Sequence, residues 1–123
     1  MRTEVYFTLR EGELRISRDG PPFEWEGRPD GLSVLEARVT ADGRAAVVLL
    51  DAPAGTGHVR NLVRIEADAQ ISWRGELPDV EPTDSFVDFE FVPGGDIAAA
   101  TWSGYSVLLS GHNGQLLRKH FTK

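Results

Sequence analysis

The chain predicts an all-β fold on three observations. Short runs alternate apolar and polar residues with period two, Gly- and Asp-containing turns separate them at short intervals, and no segment keeps a helical period. Its 123 residues are enough for one core that buries roughly two-thirds of the unfolded surface. The expectation is therefore one domain, residues 1–123, with about ten strands. Two four-stranded antiparallel meanders plus an N-terminal hairpin would pack as a partial propeller, a sandwich or a flattened barrel.

Taken in order, residues 1–31 read as a hairpin and a Pro/Gly loop. Val5, Phe7 and Leu9 alternate with Tyr6 and Thr8, and after Glu11-Gly12 the residues Leu14 and Ile16 alternate with Glu13, Arg15 and Ser17. Residues 18–31 hold three prolines and three glycines, which break helix and central strand alike. Phe23 and Trp25 inside this loop cover an open end of the core or bind a partner.

Residues 32–77 form the first repeat unit. Leu35, Ala37 and Val39 alternate with Glu36, Arg38 and Thr40 up to an Asp42-Gly43 turn. Residues 45–50, Ala-Ala-Val-Val-Leu-Leu, have no polar side chain, so this strand should be covered on both faces. A loop over 51–60 follows. Val63 and Ile65 then point inward, and after residues 67–69 Ile71, Trp73 and Leu77 line one face.

A linker rich in proline and acid, residues 78–84, leads to the second unit, residues 85–123. Val87, Phe89 and Phe91 face one way with Asp88 and Glu90 opposite. Residues 97–102, Ile-Ala-Ala-Ala-Thr-Trp, match 45–50 in kind and in position after a Gly turn, which is the sign of an internal repeat. This strand too should be covered on both faces, with Trp102 inward like Trp73. Two units and a hairpin cannot close a ring that needs about four to eight blades, so a second copy or another protein is expected to supply the missing cover.

The hairpins at 63–73 and 107–117 resemble the blade hairpin of PQQ-like and WD-type β-propellers, in which an alternating strand, an Asp-rich Gly turn and a returning strand ending in Trp follow one another. The first keeps Trp73 with Ala69 at the glycine position; the second keeps Gly114 but lacks the Asp and the Trp. The chain also resembles small bacterial proteins of uncharacterised function that carry a Trp-Ser-Gly-Tyr strand pair and a Phe-Thr-Lys tail, here residues 102–105 and 121–123.

Composition narrows the function. A net charge of −6 argues against nucleic acid, whose phosphates need a basic face. No apolar run suits a membrane helix, and the N-terminus lacks a signal-peptide core. Zero cysteines exclude thiolate metal sites and fit the cytoplasm. The excess of arginine over lysine, 11 to 2, reads as the codon bias of a GC-rich bacterial genome.

His58, His112 and His120 have no recognised metal spacing, and no Gly-x-Ser-x-Gly elbow is present. Residues 55–58 lack the lysine of a phosphate loop, and residues 79–84 lack the central glycine of a calcium loop. No enzyme, cofactor or metal is expected. Between Gly75 and Leu117 there is no Lys or Arg, while Glu76, Asp79, Glu81, Asp84, Asp88, Glu90 and Asp96 supply seven acids, which either keep the surface soluble or steer a basic partner.

The expected function is protein binding, to itself or to another protein, with Phe23, Trp25, Asp79, Glu81 and Asp84 as candidate contacts. A bacterial immunity-type or accessory protein fits this size and acidity by analogy. The competing class is a small-ligand or carbohydrate binder that stacks its ligand on Trp25, Trp73, Trp102 and Tyr105.

Overall fold

The computed structural model describes residues 4–20, 22–53, 55 and 57–122. Among the described residues eleven strands form three antiparallel meanders. β1 (Val5–Arg10), β2 (Glu13–Arg18) and β3 (Phe23–Gly27) make the first sheet. β4 (Val34–Val39), β5 (Ala45–Leu50), β6 (Leu62–Glu66) and β7 (Ile71–Arg74) make the second. β8 (Phe86–Phe91), β9 (Ile97–Thr101), β10 (Tyr105–Leu109) and β11 (Leu116–Phe121) make the third. The fold is all-β, as the period-two pattern predicts, and no helix among the described residues is long and apolar enough to cross a membrane.

The expected N-terminal hairpin gains a third strand. Phe23-Glu-Trp-Glu-Gly27 alternates like any strand and pairs with β2, Trp25 opposite Ile16 and Phe23 opposite Arg18. Gly27 is its last residue and Pro22 and Pro29 lie outside it, which an edge strand tolerates. The loop reading of 18–31 is therefore corrected for Phe23–Gly27.

The second sheet sits between the other two. Two core clusters lie on its opposite faces, and β5 contributes to both. Ala46, Val48 and Leu50 pack with Leu14 and Ile16 of the first sheet, while Val47 and Leu49 pack with Phe86, Phe89, Ile97 and Leu109 of the third. All six β5 residues are buried, each Val or Leu contributing about 1.5–3 kcal/mol. The double cover that this apolar strand demands is thus supplied within the chain. A second copy is not needed to bury residues 45–50.

The third sheet differs. Ile97, Ala99 and Thr101 of β9 are buried, whereas Ala98 and Ala100 are half-exposed on its other face. Within the chain β9 is covered on one face only, which corrects the expectation for residues 97–102. Trp102 is corrected too: it falls one residue past Thr101, on the outward beat of the alternation, and is 70% exposed. Trp73, in contrast, is buried as expected.

In two places a tryptophan in the last strand of one sheet lies near a turn of the next. Trp73, in the last strand of the second sheet, donates its indole N–H to the Gly111 carbonyl at 3.2 Å and lies against Gly114, in the β10–β11 turn of the third. A Cβ at Gly114 would sit 2.6 Å from the indole ring, and its φ of +75° also favours glycine. Trp25, in the last strand of the first sheet, likewise shares a small cleft with Ala69, which has φ 69° in the matching turn of the second. Ala69 and Gly114, the two turn residues aligned in sequence, therefore occupy equivalent places.

Among the described residues four ladders slip by one residue, one of them at Leu117 in β11, and the other three bulges shift residues from their expected faces. In β7, Ile71 pairs with Ile65 and Trp73 with Arg64, so Ile71 joins the core toward the first sheet and Trp73 the core toward the third. The other two bulges fall between Val34 and Glu36 and between Phe86 and Asp88. Period-two alternation cannot register an inserted residue.

Candidate functional site

The second and third sheets meet at a polar joint. Asn61, buried between them, donates from its amide to the carbonyls of Leu50 (2.8 Å) and Phe86 (2.9 Å), and its side-chain oxygen accepts the Phe86 N–H at 2.7 Å. These bonds clamp the end of β5 to the start of β8. Asp84, only 3% exposed, accepts the backbone N–H groups of Ser85 (2.9 Å) and Ser103 (3.0 Å) and the Ser103 hydroxyl (2.7 Å). Its own backbone bonds Gly57 and Val59, which anchors the 51–60 loop. Trp102 N–H donates to the Ser85 carbonyl at 2.9 Å, fixing the turn after β9.

Above this joint opens a cleft of ≈ 460 Å³, walled by Leu50, Pro53, Asn61 and Phe86 and edged by Leu35, Val87 and Trp102. The two bulges place these edge residues. Leu35 is the extra residue between Val34 and Glu36, and Val87 the extra residue between Phe86 and Asp88. Each is turned out of the core, and the two are 55% and 46% exposed. Two sheets thus use the same irregularity, at the same place in their first strand, to present an apolar side chain to one cleft. Bulges recur beside functional sites because they re-aim side chains in this way.

The exposed lining here is mainly apolar. The Asp84 carboxylate is taken up by internal donors, and Asp51 stands exposed at the rim. Among the described residues no group of three or more His, Asp or Glu is placed to hold a metal ion. Of the histidines, the His58 ring contacts the Glu81 carbonyl oxygen, and His112 and His120 are exposed.

The residues singled out from sequence do not converge. Phe23 and Trp25 are half-buried on the inward face of the first sheet, packed on its shared core, with the Arg18 guanidinium 5.2 Å from the Phe23 ring centroid. Asp79 and Glu81 are exposed in the connection between β7 and β8, and Asp84 is buried at the joint. The seven acids do not form one surface either: Glu76 accepts the Leu116 N–H, Asp96 accepts the Gly111 N–H, and Asp88 and Glu90 lie exposed on β8. Leu35 and Val87 went unrecognised as site residues, and Trp102 was named only for the competing ligand-binding class. A signal was present: Val34-Leu35-Glu36 and Phe86-Val87-Asp88 both break alternation with an apolar pair before an acid.

Residues 34–121 match the family model described as Domain of unknown function (DUF7957). The chain belongs to this family. The matched stretch runs from the first residue of β4 to the last of β11, so it takes in the second and third sheets and the cleft between them. No curated protein matches the chain. Among solved structures, BamB from Moraxella catarrhalis, a propeller-like protein, resembles it over 100% of this chain and 38% of that one, with a TM-score of 0.53 and 13% identity. At this identity the likeness concerns the fold alone.

Proposed function

We propose that this DUF7957 protein is a binding module that takes an apolar anchor of another protein into the cleft beneath Trp102. The observation that carries the reading is the pair of matched bulges that turn Leu35 and Val87 out toward the cleft that Trp102 borders. Exposed large apolar groups gathered in one place mark interaction sites, and tryptophan dominates the energetics of many interfaces. Asp51, exposed at the rim, favours a partner with a basic group flanking that anchor. A cytoplasmic, non-enzymatic accessory or immunity-type role belongs to this reading, as does a blade-like origin of the repeated sheets.

Peptides selected from a displayed random library on the folded protein test it. Apolar-anchored sequences should be recovered, and Trp102→Ala or the pair Leu35→Ser with Val87→Ser should weaken them at least about tenfold. Selected peptides that bind all variants equally would place binding elsewhere. The cleft's concavity also suits a small ligand; stabilisation by a member of a sugar and metabolite panel, abolished by Trp102→Ala, would favour that reading instead.

A further inference from the structure

The free face of the third sheet carries a second surface, beside the cleft at the Trp102 end of β9. Two rows of residues cross it in register: Glu90–Ala98–Leu108–Arg118 and Asp88–Ala100–Ser106–His120. The corresponding rows of the other sheets, Phe7–Ile16–Trp25 and Val47–Arg64–Trp73, are the ones on which the next sheet packs. On the third sheet the row has Leu108 where the others have Ile16 and Arg64, Arg118 in place of the tryptophan, and Ala98 in place of Phe7 and Val47. The face is therefore low along β9, with Leu108 standing on β10, acidic along β8 and basic along β11.

We propose that this face is the interface between two copies of the chain, related by a two-fold axis that runs along the strands. Two face-to-face sheets can be related by a two-fold in the plane between them, either across the strands or along them. An axis across the strands lays β8 on β8, so that Asp88 and Glu90 of one copy confront the same acids of the other. An axis along the strands lays β8 on β11. Glu90 then faces Arg118, Asp88 faces His120, Leu108 enters the hollow over Ala98, and Ser106 lies over Ala100, each pair occurring twice by symmetry. Charge and side-chain size are complementary in this arrangement alone, whereas the other opposes like charges. The pairing also supplies the second cover that the alanines of β9 lack within the chain.

Sedimentation velocity and light scattering between about 1 and 100 μM test the arrangement, a span that brackets self-association of ordinary strength. The wild type should show a concentration-dependent dimer that weakens in high salt. Arg118→Glu and Glu90→Arg should each weaken it at least about tenfold, and the double variant carrying both changes should restore it, because the exchanged charges face each other again. Ala98→Trp should abolish it by filling the hollow. All these positions are solvent-facing, and circular dichroism checks that the variants fold. Leu35→Ser, a change to the cleft made from the second sheet, should leave the dimer intact, so failure here is distinguishable from failure of the cleft reading. A wild type monomeric throughout the range overturns the proposal. So does a dimer indifferent to Arg118→Glu and Ala98→Trp, or one that the charge exchange does not restore.

Discussion

Replacing Asn61 with alanine should loosen the joint between the second and third sheets. The side chain makes three hydrogen bonds to backbone groups of Leu50 and Phe86, in a setting where Asn61 itself is 2% exposed. Each neutral bond contributes about 1 kcal/mol net, and a buried polar group left unpaired costs about 1–3 kcal/mol. Three bonds lost together give about 3 kcal/mol where water can enter and about 5 kcal/mol where it cannot. With a urea m-value of about 1.5 kcal/mol/M, the lower figure moves the unfolding midpoint by about 2 M.

Asn61→Asp sharpens the test. It keeps an acceptor for the Phe86 N–H but points a carboxylate oxygen at two carbonyls, so at neutral pH it should be at least as damaging as alanine. Part of the loss should return on acidification, when the protonated group can donate to one carbonyl. Equilibrium urea unfolding at pH 7 and pH 4.5 reads both variants. A loss below about 1 kcal/mol for Asn61→Ala at unchanged m would refute the claim that these bonds hold the sheets together.

Three further predictions follow from the geometry. Gly114→Ala should destabilise the fold by about 2–4 kcal/mol, because the added Cβ meets the Trp73 ring and the backbone is left-handed there; thermal unfolding measures it. Asp30 is held below the usual carboxyl range, first by its hydrogen bonds from Arg74 and further by that residue's charge, with partial burial opposing. Its contribution to stability is thus complete above about pH 4 and lost as pH falls through the lower folded value, so melting temperature against pH should be shallower below about pH 4 for Asp30→Asn than for wild type. Trp102→Phe should remove most of the fluorescence quenched by iodide at an unchanged melting temperature, because Trp102 is 70% exposed whereas Trp73 is 7%.

Strand existence was legible because it depends on neighbours in sequence. The alternations at Val5–Arg10 and Tyr105–Leu109 and the unbroken apolar run Ala45–Leu50 each declare a strand. That run also declares its double cover, since an all-apolar strand has no solvent face to offer. β3 was missed because proline and glycine beside it outweighed five alternating residues. The cleft was missed because its edge is built from bulges: one extra residue at Leu35 and one at Val87 reverse the facing that strict alternation assigns.

By itself the amino-acid sequence determined the all-β class, the two four-stranded antiparallel meanders and the need to cover residues 45–50 on both faces. Those follow from hydrophobic period and turn chemistry, which act over a few residues. Only the tertiary structure decided what provides the cover, that Trp73 lies inside on Gly114 while Trp102 lies outside, and that the acids from Glu76 to Asp96 divide between internal bonds and separate surfaces. Those outcomes depend on how whole sheets stack and where ladders slip by a residue, so that groups far apart in the chain, Asn61 with Phe86 or Asp84 with Ser103, complete one another's hydrogen bonds.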